Sequence, residues 1–404
     1  MSLRTSAGPR LSPSRDIRVG HRHRPWFPLI LGACFPLLTA AGAAKAAVVA
    51  WGLGLDGQTT VPAAVDDAVA IGAGHLHSVV VRADGSVVAF GANAFGQSDV
   101  PAGLANVTAV APGLFHNLAL RSDGTVAAWG DNSELQSQVP AGLDGVTAIA
   151  AGGLHSLALR SDGTVVAWGN DTFGQATVPA GLTGVTAIAA GRFHSLALTS
   201  DGTVVGWGDN IDGAIDIPPG LAGVVAIATA NVLSMALRSD GTVEVWGDPD
   251  NPRPVPAGLN DVVAIAGGVH HCLALRSDGT LVAWGFDSDG QATIPPGLSG
   301  VTAIAAGGFH NLALRESLTP AMAIRDLRDD VDGMGGVWIR NALRAQLNVA
   351  TVALDASNLR GACRALRNFG RLVSVQRNRQ LTAAQADYLV AQAADIRLLI
   401  GCEQ

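Results

Sequence analysis

The sequence predicts an all-β seven-bladed propeller followed by a small all-α domain, because three short markers recur about every 39 residues. The markers are an Asp-Gly pair, an aromatic residue followed by Gly, and a His-x-Leu or His-x-Val unit. They begin at Asp84, Asp123, Asp162, Asp201, Asp240 and Asp278; at Trp51, Phe90, Trp129, Trp168, Trp207, Trp246 and Trp284; and at His77, His116, His155, His194, His271 and His310. Repeat folds with such periods bury the apolar face of each unit against the next unit.

Each unit predicts four short antiparallel strands. In one unit they are Val185–Ala190, His194–Leu198, Thr203–Trp207 and Ala214–Ile217. The first two strands alternate large and small side chains, as half-buried strands do. Asp201-Gly202 predicts a two-residue hairpin, because both central residues of that turn favour positive φ. Four such strands in about 39 residues form one propeller blade.

The two ends of the repeat region complement each other. The first unit begins with third-strand sequence at Val48–Gly52, and the last unit ends with first- and second-strand sequence at Phe309–Arg315. We therefore expect a seventh blade built from two strands of each end, with residues 47–62 beside 301–315. Such closure removes the open sheet edge that invites aggregation.

The repeat resembles that of a known family. Residues 152–169 read Gly-Gly-Leu-His-Ser-Leu-Ala-Leu-Arg-Ser-Asp-Gly-Thr-Val-Val-Ala-Trp-Gly, and Phe173-Gly174-Gln175 follows. Both segments resemble the RCC1 repeat, and the resemblance covers about 47–318. The short period and the connector 175–182 are similar to the bacterial branch that includes β-lactamase-inhibitory protein II. This resemblance implies a seven-bladed propeller that binds a protein without catalysing a reaction.

Residues 1–46 predict an export signal. A stretch rich in arginine precedes the apolar run Trp26–Ala44, and the A-x-A pattern Ala44-Lys45-Ala46 would allow a signal peptidase to cut before Ala47. We therefore expect the mature chain in the periplasm or outside the cell.

Two alternatives for this segment are weaker. Lipid attachment at Cys34 is disfavoured because the residues after it remain apolar for about ten more positions, which suits a cleaved signal better. A membrane span is disfavoured because Pro28, Pro36 and two glycines interrupt the run, whereas spanning needs about 20 apolar residues.

Residues 319–404 predict a helical domain after the propeller of 47–318. Apolar residues recur at three-to-four spacing in 336–354, 356–378 and 382–400, and about 85 residues suffice for a bundle of four short helices. Thr382 and Gln385 form a capping box, which starts the last of these helices.

The cysteines of the tail predict a disulfide. Cys363 and Cys402 are the two cysteines of this region, and export would place them where disulfides persist. A bond that closes a loop of about 40 residues stabilises by roughly 2–4 kcal/mol. The C-terminal sequence also resembles a helical module of secreted bacterial proteins called FIMAH. The segments that carry this resemblance are Cys363-x-x-Leu366, Leu381-Thr382-x-x-Gln385-Ala386 and Leu399-x-Gly401-Cys402.

The sequence predicts no enzyme, no cofactor and no metal site. The repeated histidines recur once per blade, and Leu233 takes their place in the fifth unit, so we interpret them as structural. Asp287-x-Asp289-Gly290 resembles the start of a calcium loop, but no Glu follows at the twelfth position. The sequence also lacks a phosphate-binding glycine loop, a nucleophile elbow and zinc-ligand spacing.

Cys272 directly follows the repeated histidine of its unit, at a position where the other units have Ser or Asn. This predicts a small buried side chain.

Charge limits the class of partner. The chain has 33 acidic and 26 basic residues, which gives a net charge of −7 and no basic patch for nucleic acid. We expect a monomer that binds a protein or a cell-surface polymer.

Strand direction predicts where a partner binds. The Gly-x-x-His turns and the loops after Trp-Gly should emerge on one face, and the Asp-Gly hairpins and Pro-x-Gly-Leu connectors on the other. The first face varies from blade to blade, and variation in repeat proteins marks the binding side. Candidate contact residues are Leu76, Phe95, Phe115, Leu154, Phe173, Phe193, Val232, His270, Phe286 and Phe309. The alternative interpretation is that these side chains pack between the blades.

Three functions compete at this point. The first is an exported, non-enzymatic binding or scaffold protein. The second, implied by the resemblance, is inhibition of a β-lactamase or similar enzyme, although the predicted propeller lacks the tyrosines of the inhibitor's face. The third is guanine-nucleotide exchange, which the uniform repeat disfavours because it leaves no room for an inserted wedge. Fold-level resemblance is a weak basis for function.

Overall fold

A computed structural model describes residues 46–249, 253–316, 319–333 and 336–402. The export signal 1–46, apart from Ala46, and the alternative lipidation site Cys34 lie outside the described residues. Within these ranges the chain forms seven three-stranded antiparallel sheets and then four helices.

The strands are β1 (Ala46–Gly52), β2 (Ala68–Ala73), β3 (His77–Arg82), β4 (Val87–Gly91), β5 (Val107–Pro112), β6 (His116–Arg121), β7 (Val126–Gly130), β8 (Val146–Ala151), β9 (His155–Arg160), β10 (Val165–Gly169), β11 (Val185–Ala190), β12 (His194–Thr199), β13 (Val204–Gly208), β14 (Val224–Thr229), β15 (Leu233–Arg238), β16 (Val243–Gly247), β17 (Val262–Gly267), β18 (His271–Arg276), β19 (Leu281–Gly285), β20 (Val301–Ala306) and β21 (His310–Glu316). Blades 1 to 6 are consecutive triplets from β2–β4 to β17–β19, and blade 7 contains β20, β21 and β1.

The middle strand of each blade is buried on both sides. In β9, His155, Leu157 and Leu159 face one way, and the small residues Ser156 and Ala158 face the other. The leucines of one blade pack against the small face and the tryptophan of the next blade, so each blade buries its apolar face only with its neighbour. The inner strands surround a central channel lined by Ala and Ile side chains.

Seven apolar clusters, one at each junction between blades, close the ring. The last of them joins blade 7 to blade 1 and contains Val80 and Phe90 together with Ala303 and Leu314. The predicted closure of the propeller therefore agrees with the structure, and the number of strands differs. The N-terminal end contributes β1 alone, which pairs with β21 in register Trp51↔Asn311, while the C-terminal end contributes two strands.

The segment predicted as the fourth strand of each blade is a loop instead, which we call the latch loop. Ala214–Ile217 makes local bonds, with the Asp216 N–H donating to the Gly213 carbonyl at 3.1 Å. The Ala214 carbonyl accepts hydrogen bonds from the side chains of Ser234 and Trp246 in the next blade. These backbone groups therefore bond within the turn and to the neighbouring blade, and they do not form the hydrogen-bond ladder of a fourth strand.

The helices are α1 (Pro320–Asp332), α2 (Val337–Asp355), α3 (Leu359–Gln376) and α4 (Ala383–Ile400). The predicted capping box is present, because the Gln385 N–H donates to Thr382 Oγ1 and the Thr382 N–H donates to Gln385 Oε1. The helix expected to begin at residue 356 begins at Leu359, since the Asn358 side chain caps it by accepting from the Gly361 N–H. None of the described helices is long and apolar enough to cross a membrane.

The helical domain is tied internally and docks on the propeller. Cys363 and Cys402 form the predicted disulfide, with their Cα atoms 5.8 Å apart. Ser299, in the connector between β19 and β20, donates to Asp326 of α1 at 2.8 Å. The connectors lie on the same side of the propeller as the Asp-Gly hairpins, so this contact is on the side opposite to the Gly-x-x-His turns.

Candidate functional site

The two sets of loops sort onto two faces, as strand direction predicts. The Asn170 N–H, directly after Trp168-Gly169, donates to the Leu154 carbonyl of a Gly-x-x-His turn at 2.8 Å. At the opposite end, the Val185 N–H donates to the carbonyl of Gly163 in an Asp-Gly hairpin at 3.2 Å. We call the first surface the turn face and the second the hairpin face.

Six buried histidines join neighbouring blades beneath the turn face. The contacts of their Nε2 atoms are His77 to Asn117 Oδ1 (2.8 Å), His116 to Ser156 Oγ (3.0 Å), His155 to Ser195 Oγ (2.9 Å), His194 to Ser234 Oγ (3.0 Å), His271 to Asn311 Oδ1 (2.6 Å) and His310 to Ser78 Oγ (2.9 Å). The Ser or Asn side chain in turn donates to the backbone carbonyl of a latch loop, as Ser195 does to Gln175 at 2.9 Å. We call this three-part chain the interblade latch.

The hydrogen bonds of the latch determine which ring nitrogen of each histidine carries the proton, and burial keeps the rings neutral. Because the single hydroxyl proton of Ser195 goes to the Gln175 carbonyl, its oxygen must accept from the Nε2–H of His155. Burial lowers the pKa of His155 to about 3 and that of His194 to about 4, so both rings are neutral near pH 7. In the part of the chain that the structure describes, no group of three or more His, Cys, Asp or Glu side chains is placed to hold a metal ion. These histidines therefore serve the junctions between the blades.

The glycine of the Gly-x-x-His turn makes room for the imidazole. A Cβ atom on Gly191 would lie 2.2 Å from Cε1 of His194. Blade 5 shows the converse, because Leu233 replaces the histidine and Ala230 replaces the glycine. Leu233, Ala230 and Cys272 all belong to one buried cluster. The junction of blades 5 and 6 has therefore exchanged a polar latch for an apolar contact, and Cys272 is buried as predicted.

The candidate contact residues all lie on the turn face. Phe95, Phe173 and Phe286 are 49%, 48% and 51% exposed at the loop tips. The other seven are half-buried. This burial lies between the two interpretations made from the sequence, which are contact with a partner and packing between the blades. They are Leu76, Phe115, Leu154, Phe193, Val232, His270 and Phe309.

Aromatic rings from blades 1, 2, 6 and 7 form one continuous arc. In order along it, the rings are Phe95, Phe115, His75, Phe309, His270 and Phe286, with neighbouring centroids 4.7, 6.1, 5.6, 6.0 and 6.1 Å apart. We call this the aromatic arc. A separate pair, Phe173 and Phe193, has centroids 5.3 Å apart, and the Arg192 guanidinium lies 4.8 Å from the Phe193 ring. Leu76, Leu154 and Val232 belong to neither group.

Sequence reasoning missed part of this face. His75 joins the two halves of the arc, and Arg192 occupies the same repeat position, directly after the turn glycine. Leu55, Leu135 and Ile211 are exposed at loop tips close to the repeat position of Phe95. An alignment of the repeats position by position would have brought these residues out.

Acidic residues are numerous on the turn face. Those on the turn face that are exposed or half-buried are Asp56, Asp99, Asp131, Glu134, Asp171, Asp209, Asp212, Asp216, Asp248, Asp287 and Asp289. Among the described residues of this face, Arg192 and Arg253 are the arginines, and Arg253 is buried in an ion pair with Asp248 at 3.1 Å. The turn face therefore carries both the aromatic arc and many acidic side chains.

Comparisons with known proteins agree with this architecture. The family model of the regulator of chromosome condensation (RCC1) repeat matches residues 68–97, 107–136, 146–175, 185–214 and 262–291. A search of curated proteins found no match to this chain.

Solved structures of similar fold include Prp20p of Saccharomyces cerevisiae, a crystal structure reported with binding properties to Gsp1p and histones. It is 18% identical with a TM-score of 0.61, over 73% of this chain and 96% of that one. Yeast RCC1 (Prp20) bound to Kap60 is 18% identical with a TM-score of 0.59, over 72% and 92% of the two chains. Human WBSCR16 is 20% identical with a TM-score of 0.57, over 67% and 100%. Identities this low establish the fold alone. The chain therefore contains RCC1 repeats, and its propeller is similar in fold to RCC1-like propellers.

Proposed function

We propose that this chain is an exported, non-enzymatic binding protein that docks a protein partner through the turn face of its propeller. The observation that carries the proposal is the aromatic arc. Aromatic side chains, Phe among them, are enriched at the cores of protein interfaces, and six contacting rings on a closed ring of blades are held in place before a partner arrives.

The charge of the turn face favours a partner with a basic surface. Among the residues that the structure describes, eleven acidic side chains lie on the turn face and one of its two arginines is already paired, so lysines and arginines of a partner would find complementary charge. Phe95 and Phe286 are about half exposed, so cationic groups of a partner could also contact their rings. A surface polymer with basic groups could bind to the turn face instead of a protein. The experiment must distinguish these two kinds of partner.

Export is supported by the disulfide. Cys363 and Cys402 are joined, and disulfides persist in oxidising compartments such as the periplasm and the extracellular space. Fractionation of producing cells, with thiol labelling of the recovered chain, tests this part. Recovery of the chain in the cytosol with both thiols free would contradict it. The resemblances to the inhibitor branch and to FIMAH modules remain predictions.

The binding experiment uses the chain as bait for proteins and surface polymers from the producing cells. A Phe95→Ala/Phe115→Ala variant should lose the partner that the parent chain retains. Higher salt should weaken the binding of the partner to the parent chain. The matched control, Asp123→Arg/Asp162→Arg on the hairpin face, should bind as the parent does. A partner that depends on the hairpin face and ignores both phenylalanines would overturn the proposal.

A further inference from the structure

A row of four arginines follows one side of α3. Arg360, Arg364, Arg367 and Arg371 are spaced by four, three and four residues, which places them on the same face of a helix with 3.6 residues per turn. All four are exposed, and α3 contains no acidic residue. Like charges at this spacing destabilise a helix slightly, so helix formation does not account for them.

Three acidic residues of the domain already have other partners. Asp332 pairs with Arg344, Asp387 pairs with Arg377, and Asp326 accepts from Ser299 of the propeller. Among the ion pairs that the described residues form, none includes an arginine of the α3 row. The row is therefore a positive surface on a chain whose net charge is negative.

An apolar groove runs beside this row between α3 and α4. Its floor is made of small or apolar residues, and its volume is about 560 Å³. A Cβ atom added to Gly370 would meet open space, and Val375 and Val390 are 57% and 38% exposed. Arg367 and Arg371 line it from α3. Arg397 lines it from α4, and its Nε atom is buried without a hydrogen-bond partner.

The groove is held in shape before any ligand arrives. The disulfide between Cys363 in α3 and Cys402 after α4 joins the two helices that form it. A preformed groove loses little conformational entropy on binding, which favours affinity.

We propose that this α3–α4 groove binds an acidic amphipathic peptide segment of a partner protein. Apolar side chains of the segment would fill the space above Gly370, and its carboxylates would meet Arg367, Arg371 and Arg397. Arginine binds carboxylates through paired, charge-assisted hydrogen bonds. The lining from Leu366 to Val375 spans about 14 Å of helix, the length of a few turns of a bound helix.

The shape and the floor distinguish this occupant from other anions. A phosphate polymer would contact the arginines and leave the apolar floor unused, and a lipid surface is flat whereas the groove is concave. The site lies on the helical domain and does not depend on the proposed role of the turn face.

The test is titration of the full chain with a fluorescent synthetic peptide of Leu and Glu arranged at helical spacing. We expect saturable binding that weakens roughly tenfold or more in Arg367→Glu/Arg371→Glu and in Gly370→Leu, which fills the groove without changing its charge. Arg379→Glu, an exposed charge reversal beyond the end of α3, should bind as the parent chain does. Phe95→Ala/Phe115→Ala should also leave peptide binding unchanged, which separates this site from the turn face.

Three outcomes would overturn the proposal. They are equal binding of a peptide in which Lys replaces Glu, undiminished binding by Gly370→Leu, or binding of polyphosphate or phosphatidylglycerol vesicles without binding of the peptide. Circular dichroism of each variant, with the disulfide intact, verifies that a loss of binding does not reflect a loss of structure.

Discussion

Nε2 of His310 lies 2.9 Å from Oγ of Ser78, although 232 residues separate the two along the chain. The Ser78 hydroxyl in turn donates to the Gln58 carbonyl at 2.8 Å. This latch joins blade 7 to blade 1, the junction at which the two ends of the propeller meet. It has the same geometry as the latches between consecutive blades. The junction that closes the ring therefore uses the same hydrogen bonds as the other junctions.

Ser78→Ala should destabilise the ring by about 1–3 kcal/mol, because it leaves the buried Nε2–H of His310 and the Gln58 carbonyl without their partner. Urea unfolding followed by tryptophan fluorescence measures this. Ser86→Ala, on the hairpin face, is the control and should change little. Equal stability of Ser78→Ala and the parent chain would count against a closing role for this latch.

Gly191→Ala should be destabilising, and His194→Leu should relieve the effect. The added Cβ would lie 2.2 Å from the His194 ring, so overpacking should cost roughly 1–3 kcal/mol. With His194→Leu the turn matches blade 5, which carries Ala230 and Leu233, and Ser234 keeps its bond to the Ala214 carbonyl. A double-mutant cycle should show favourable coupling between the two changes. Additive effects would contradict this explanation of the turn glycine.

Stability should fall in mild acid. Burial lowers the pKa of His116, His155 and His310 to about 3 and that of His77, His194 and His271 to about 4, from 6.5 when unfolded. The unfolded chain therefore binds more protons below pH 6.5, so stability is complete above that pH and declines as the pH approaches 4.

Each buried histidine contributes a slope of up to about 1.4 kcal/mol per pH unit within that window. The hairpin aspartates, whose pKa values lie below 3.8, add their effect only in stronger acid. Urea unfolding at a series of pH values measures the slope, and His155→Leu should reduce it by one histidine. A stability that stays constant from pH 7 to 5 would mean that these rings are not neutral and buried.

Loss of the Cys363–Cys402 disulfide should destabilise the helical domain by about 2–4 kcal/mol. Far-ultraviolet circular dichroism of Cys363→Ser/Cys402→Ser should show helix melting at a lower temperature than in the parent chain. Reductant should lower the parent's transition to the same value and leave the variant unchanged. A parent transition that is insensitive to reductant would show that the bond contributes nothing to stability.

The number of blades and the closure of the ring follow from sequence alone. Asp-Gly, Trp-Gly and His-x-Leu recur because each blade has the same turns and the same packing against its neighbour. The spacing of such markers can be read from the sequence without coordinates. The sorting of loops onto two faces also follows, since antiparallel strands alternate in direction. The disulfide could be predicted because the tail has two cysteines.

Tertiary structure decided what depends on contacts between blades. The sequence marks Leu233 and Cys272 as two separate departures from the repeat, and the fold shows that they occupy one buried cluster at one junction. The predicted fourth strand failed for the same reason, because the Ala214 carbonyl bonds to the next blade. The aromatic arc joins His75 to Phe309, 234 positions away. A repeat determines the shape of each unit, but which side chains meet between units depends on how the ring closes.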